Sequence, residues 1–203
     1  IPDVPQPLPV IEIPTIHLDE TAPLFDNLPE PQHTDSIKPM EDFNQGWGTI
    51  LYRTALPEDV AEGTVLLVDE AHDWAQIFAD GELLGRLDRR RGDNSLTLPA
   101  LKQGTQLDIL VEAMGRVNFD HAIHDRKGIT ERVQLLTDQG RKDLTNWQVY
   151  SFPDEAEFAA RKHFSKGDKL NGPAYYRATF DLKETGDVFL DMQTWGKGMV
   201  WVN

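Results

Sequence analysis

One strand-rich stretch limits the possible folds of this chain more than any other feature. Residues 46–85 contain three successive strand patterns, and the last of them stops at Asp80-Gly81, a dipeptide typical of tight hairpins. The three predicted strands are Thr49–Leu56, Thr64–Val68 and Trp74–Ala79.

The same order of segments returns near the C-terminus. The repeated pairs are Tyr52–Leu56 with Tyr176–Phe180, Val65–Asp69 with Asp187–Asp191, and Ile77–Asp80 with Val200–Asn203. Arg53 precedes Asp80 by 27 residues, and Arg177 precedes Asn203 by 26. This agreement predicts one supersecondary unit used twice, with Tyr52 and Tyr176 at equivalent strand positions facing the same way.

Further strands and few helices are predicted elsewhere. Strand patterns cover Asp93–Pro99, Gln106–Met114 and Arg132–Leu136, separated by Gly, Asp and Asn turns. Many short strands at such spacing indicate an all-β, antiparallel β-sandwich rather than an α/β sheet. A single helix is predicted over Ser151–Phe164, where acidic residues including Asp154 precede a basic end.

Four segments are expected. Residues 1–40 hold nine of the thirteen prolines and predict an extended linker or edge segment; within them, Val10–Leu18 could instead add an edge strand to a second sandwich. Residues 41–146 are predicted as the first β-sandwich, 147–172 as a helical connector and 173–203 as the start of a second, truncated sandwich. Because residue 1 is Ile, we expect a piece of a longer protein.

Charge and composition exclude several functions. The net charge of −14 repels phosphate backbones, so no nucleic-acid partner is expected, whereas neutral sugars are not repelled. The absence of cysteine excludes disulfides, thiolate zinc sites and cysteine nucleophiles. No apolar run is long enough for a membrane span, so no membrane partner is expected either.

Four motifs resemble the β-domains of glycoside hydrolase family 35, the β-galactosidases. They are Trp47–Thr54, Leu107–Phe119, Asp125–Ile129 and Thr194–Asn203, and they stand in the family's order. The resemblance implies jelly-roll, galactose-binding-like domains that follow a (β/α)8 barrel with both catalytic glutamates. This chain matches only the β-domains, so the barrel of the parent chain is the expected partner and the fragment alone is predicted to be inactive. For the parent, a periplasmic or secreted location is expected.

The segment Gly115–His121 is the best functional candidate. A Gly, an Arg, an Asn and an aromatic residue directly after a strand predict a compact, hydrogen-bonding loop. By resemblance this loop faces the barrel. We expect Arg116 to fix the loop to carboxylates or carbonyls, with sugar contact as the alternative. Asn118 lies between Arg116 and Phe119, and Phe119 could border the substrate pocket.

Other chemistry-bearing residues are assigned to structure. The five tryptophans are expected in the core or at interfaces, with a sugar-stacking platform as the alternative. Asp120, His121, His124 and Asp125 resemble a metal cluster only in sequence, so no metal and no cofactor are expected. Arg86, Arg89, Arg90 and Arg91 either meet an acidic partner surface or form a solvated loop. No catalytic carboxylate pair is recognisable.

Three functions remain open at this stage. The first is the non-catalytic β-sandwich portion of a β-galactosidase, packing against the barrel and shaping its mouth. A free-standing carbohydrate-binding module that binds galactoside glycans is the second, and an assembly domain without ligand is the third. An exposed row of aromatic residues in a groove would favour the second over the first.

Overall fold

The structure, a computed structural model, describes residues 4–13, 15–119, 121, 123–153, 155–167 and 170–202. Two compact units are present: a central unit of residues 28–159, and a terminal unit made of residues 1–27 and 160–203. The strands are Glu20–Pro23 (β1), Gln32–Thr34 (β2), Thr49–Ala55 (β3), Val65–His72 (β4), Trp74–Ala79 (β5), Glu82–Asp88 (β6), Ser95–Thr97 (β7), Gln106–Glu112 (β8), Gly128–Thr137 (β9), Gly140–Asp143 (β10), Trp147–Phe152 (β11), Ser165–Lys166 (β12) and Ala174–Arg177 (β13). The helix described is Ala156–Ala160 (α1), and 3₁₀ turns cover Phe25–Asn27, Met40–Phe43 and Arg89–Arg91.

The central unit is an antiparallel β-sandwich, which confirms the predicted fold class. One sheet has the order β2-β11-β3-β8-β5-β6 and the other β10-β9-β4-β7. Alternate residues of β3 and β8, such as Tyr52 and Ile109, meet alternate residues of β4 and β9, such as Leu66 and Val133, in one buried core. The period-two pattern in the sequence is therefore the pattern of the core.

Two details of this sandwich follow directly from sequence. Asp80 and Gly81 both have positive φ, 46° and 85°, as a two-residue hairpin between β5 and β6 requires. Tyr52 is fully buried, and its ring meets the ring of Trp147 edge-on at 6.5 Å. Its hydroxyl donates to the Lys38 carbonyl at 2.9 Å and accepts from the Ile129 N–H at 3.2 Å.

The repeated Tyr-Arg segment forms a strand in both units. In the central unit Arg53 lies opposite Asp108 and donates to it from Nε and a terminal nitrogen, at 2.7 and 3.0 Å. In the terminal unit, whose sheet has the order β12-β1-β13, Arg177 makes the same two-point contact with Glu20, at 2.9 and 3.0 Å. A fork of this kind holds two adjacent strands in register.

Beyond this element the two copies differ. Tyr52 is fully buried, whereas Tyr176 is 37% exposed. Among the residues described after β13, Asp187 makes a single parallel bridge to Val10, and residues 198–202 form no strand. Asn203, the last residue of the predicted repeat, lies outside the described residues.

Two predicted elements lie elsewhere or are shorter. The edge strand predicted at Val10–Leu18 is wrong, because the strand that joins the terminal unit's sheet is β1, and Val10 contributes only its bridge. The predicted helix Ser151–Phe164 begins later and spans five residues, α1. Residues 147–152 belong to β11, since Trp147 and Val149 point into the core and pair with the central sheet. Asp154 lies outside the described residues.

The tryptophans divide into buried and exposed positions. Trp147 is fully buried in the core, as predicted, while Trp47, Trp195 and Trp201 are 40–54% exposed. Within the described part of the chain, no helix has the length and apolar character that crossing a bilayer requires.

Candidate functional site

The predicted functional loop joins β8 to β9 and is fastened at its base by a buried lysine. We call residues 113–127 the 113–127 loop; residues 120 and 122 lie outside the described part. The Lys127 side chain is 1% exposed, and its Nζ lies 2.7 Å from both Asp73 Oδ2 and Asp125 Oδ2. It also donates to the Gly115 carbonyl at 3.2 Å. One ammonium group therefore ties both ends of the loop to the β4–β5 connection.

A second cation completes this arrangement. One terminal nitrogen of Arg89 donates to Asp73 Oδ1 at 2.9 Å and to Asp125 Oδ1 at 2.7 Å, and the Met114 N–H donates to Asp73 Oδ2 at 2.7 Å. We call Asp73, Arg89, Asp125 and Lys127 the buried ion cluster. Every carboxylate oxygen in it has a donor, which is the condition for ions to be stable out of water.

The cluster keeps both aspartates ionised. Burial alone would raise the pKa of Asp73, but hydrogen bonds from Lys127, Arg89 and the Met114 N–H outweigh it and hold the pKa below its ordinary value. Asp125 is the same case: burial opposes, yet Lys127 and Arg89 lower its pKa. Because both folded-state values are depressed, the stabilisation is present above about pH 4 and is lost as the pH falls through them.

This sign gives a testable acid limb. We expect the free energy of unfolding of the central unit to fall steeply below about pH 4, and the Asp125→Asn variant to show a shallower fall. Urea unfolding at pH 2.5 to 6, followed by tryptophan fluorescence, measures both slopes. Asp138→Asn, at an exposed position, is the matched control and should keep the wild-type slope. Equal slopes for Asp125→Asn and wild type would contradict the assignment.

Arg116 pins the start of the loop to a neighbouring turn. Its terminal nitrogens donate to the Asp125 carbonyl at 2.9 Å and to Glu41 Oε1 at 2.6 Å, and its Nε donates to the Gly46 carbonyl at 3.1 Å. Glu41 also accepts from the backbone N–H of Lys127 at 3.0 Å. These contacts to a carboxylate and to carbonyls lie within the central unit.

Beyond its fastened base the loop presents apolar side chains to solvent. Phe119 is 84% exposed, Ile123 57% and Val117 38%. Trp47, next to the Gly46 carbonyl that Arg116 binds, is 52% exposed. Asn118 is exposed as well, while Asp120 lies outside the described residues. The loop thus combines a rigid ionic base with an uncovered apolar end.

The sequence hypotheses fare differently against this geometry. Arg89 does not belong to a basic surface, since it binds Asp73 and Asp125, and Arg90 binds Asp88 at 2.6 Å, so the predicted basic cluster is wrong for these two residues. Asp125 binds cationic side chains, and the described residues contain no group of three His, Asp or Glu arranged to hold a metal ion.

Sequence reasoning missed Lys127 and Asp73. The signal was faint: a lysine within the motif Asp125–Ile129, and an aspartate at the end of a strand.

Comparison with known proteins identifies both parts of the chain. Residues 38–153 match the family described as "Beta-galactosidase, first all-beta domain", and residues 173–203 match "Beta-galactosidase, galactose-binding domain". The β-galactosidase of Xanthomonas manihotis is 35% identical over 203 residues, covering 100% of this chain and 33% of that protein. The β-galactosidase of Bos taurus is 35% identical over 188 residues, covering 80% of this chain and 27% of that protein.

One solved structure also aligns. A GH2 β-galacturonidase from Eisenbergiella tayi bound to glycerol covers 77% of this chain and 42% of its own, with a TM-score of 0.34 and 11% identity, and supports no argument at that score. The chain spans about a third or less of the two β-galactosidases above. The match over residues 38–153 covers more than half of the chain, and the chain therefore belongs to the β-galactosidase family.

Proposed function

We propose that this chain is the non-catalytic β-sandwich portion of an enzyme that hydrolyses terminal β-galactosides. In that enzyme the 113–127 loop packs against the catalytic barrel, and Arg116, Asn118 and Phe119 help to form the rim of its substrate pocket. The exposure of Phe119 on a loop with a fixed base carries this proposal.

Energetics support an occupied position for this aromatic. Burying a phenylalanine side chain is worth about 1.5–3 kcal/mol, and this gain is absent while Phe119 stands in water. An apolar group held out by a fixed base can gain it by contact with a second surface at little entropic cost. Exposed apolar side chains on such a fixed element are typical of interaction sites.

The alternative of a free-standing carbohydrate-binding module is less well supported. A polar cleft of about 660 Å³ lies on the central unit and is lined by residues such as Arg53, Gln106 and Gln148. Trp147 also lines it, yet Trp147 is fully buried in the core and shows the cleft no ring face. A sugar-binding groove usually needs such a face for stacking, so the loop is the better candidate.

A chimeric enzyme tests the proposal. The chain replaces the aligned third of the Xanthomonas manihotis β-galactosidase, and hydrolysis of a chromogenic β-galactoside is measured. We expect Phe119→Ala to raise KM about fivefold or more, because about 1 kcal/mol of pocket contact is lost. Phe189→Ala, at a residue that is 86% exposed in the terminal unit, is the matched control and should leave KM unchanged.

Two outcomes would count against this function. Equal KM and kcat for Phe119→Ala and the unsubstituted chimera would remove the loop from the pocket. Hydrolysis by the 203-residue chain alone, lost on replacing one of its own carboxylates, would show that the chain carries catalytic residues.

A further inference from the structure

His72, at the end of β4, has both ring nitrogens in contact with oxygen atoms that only accept hydrogen bonds. Nδ1 lies 2.6 Å from the Arg126 carbonyl oxygen, and Nε2 lies 2.8 Å from a carboxylate oxygen of Glu70. A neutral imidazole has one N–H and can donate only once, whereas the imidazolium ion donates from both nitrogens. The arrangement therefore requires a protonated His72.

The charges around the ring agree with this. Asp125 Oδ1 lies 3.6 Å from Nδ1, and the same oxygen accepts from Arg89. Glu70, Asp73 and Asp125 supply three negative charges, which Arg89, Lys127 and a protonated His72 balance. The His72 side chain is 10% exposed, so a neutral ring would leave one negative charge unbalanced beside a largely buried group.

The Arg126 carbonyl lies at the base of the 113–127 loop. Its own N–H donates to the His124 carbonyl at 2.9 Å, and its side chain binds Asp42. We propose that His72 is a proton-operated latch that fastens this base to β4. Protonated, the ring holds the Arg126 carbonyl and Glu70 together; neutral, it can hold only one of them, and the base of the loop loosens. This concerns the chain's own loop and stands apart from whether the loop meets a catalytic domain.

The direction of the pH effect follows from these bonds. Histidine is the side chain whose charge changes between about pH 5 and 8. Since the protonated form makes both hydrogen bonds, the latch is closed at the acid end of this range and opens as the pH rises. Glu70, 61% exposed at its side chain, remains an acceptor throughout the range because water solvates its charge.

Amide hydrogen exchange of the 203-residue chain tests the latch. We expect the protection of amides 123–128, corrected for the intrinsic pH dependence of exchange, to fall about fivefold to tenfold between pH 5.5 and 8. Amides of β8 should not change. His72→Asn, whose amide can donate one hydrogen bond but does not titrate, should remove the pH dependence. His124→Gln, at an exposed position of the same loop, is the matched control and should retain it.

Nitrogen-15 NMR of the histidine rings in the unsubstituted chain gives a second readout that needs no variant to fold. We expect both ring nitrogens of His72 to be protonated at pH 5.5, and their deprotonation to coincide in pH with the loss of protection. A single protonated nitrogen at pH 5.5, protection independent of pH, or a pH dependence unchanged in His72→Asn would each overturn the proposal.

Discussion

Replacing Lys127 with alanine is expected to lower the free energy of unfolding of the central unit by about 3–5 kcal/mol, the range for breaking a buried ion pair from one side. The substitution leaves Asp73 and Asp125, 8% and 4% exposed at their side chains, with Arg89 as the remaining cation of the buried ion cluster. It also frees both ends of the 113–127 loop, because Nζ binds the Gly115 carbonyl as well. Urea unfolding followed by tryptophan fluorescence measures the loss.

Two further variants isolate the cause. Lys127→Met keeps most of the volume but no charge, so a loss close to that of Lys127→Ala assigns the effect to the uncompensated carboxylates rather than to a cavity. Lys102→Ala removes an ammonium that also pairs with an aspartate at 2.9 Å but is 85% exposed, and should cost less than about 1 kcal/mol. A loss of that small size for Lys127→Ala would show that the cluster contributes little.

Gly128→Ala is expected to lower the free energy of unfolding by about 3 kcal/mol or more. Gly128 has φ = 82°, and a Cβ there would collide with the hydroxyl of Tyr52 and lie 3.1 Å from the Met40 nitrogen. Tyr52 has nowhere to move, because it is fully buried and its hydroxyl holds the Lys38 carbonyl and the Ile129 N–H. The clash therefore breaks hydrogen bonds in the core as well as straining the backbone.

Gly63→Ala is the matched control for the backbone term. Its φ of 88° is almost the same, yet no atom lies within 4 Å of the added Cβ, so only the strain of a positive φ remains, about 1 kcal/mol. The difference between the two alanine variants measures the collision with Tyr52. If both lose the same stability, the collision contributes nothing.

Much of the fold follows from local sequence. Alternating apolar residues in Thr49–Ala55 and Gln106–Glu112, together with the Asp80-Gly81 turn, predict strands that the structure contains at nearly the same bounds. These signals are readable because each depends on neighbours two residues apart or on the backbone preference of one residue. The loop that follows β8 was identified by the same kind of reasoning.

The ionic base of that loop was not predictable in this way. Asp125, Arg126 and Lys127 form a charged run that ordinarily indicates a solvated surface. Lys127 is nevertheless buried, because its partner Asp73 comes from 54 residues earlier, and Arg89 reaches Asp125 across 36 residues. Burial of a charge depends on partners brought together by the fold, and the spacing along the chain does not contain them. The acidic start at Ser151–Phe164 misled for a related reason, since the pairing of β11 with β3 outweighs local helix preference.

The split of the terminal unit into two chain segments has a consequence for the order of folding. Glu20 and Arg177 pair across 157 residues, whereas within the central unit β2 and β11 already lie side by side. Once the central unit has folded, the chain that must close to join β1 with β13 shortens from 157 residues to about 40, and the entropic cost of closure falls by about 1 kcal/mol. During synthesis the first twenty-odd residues therefore wait, extended and proline-rich, until the ribosome has passed Arg177. A central unit that folds slowly would delay its neighbour by the same interval.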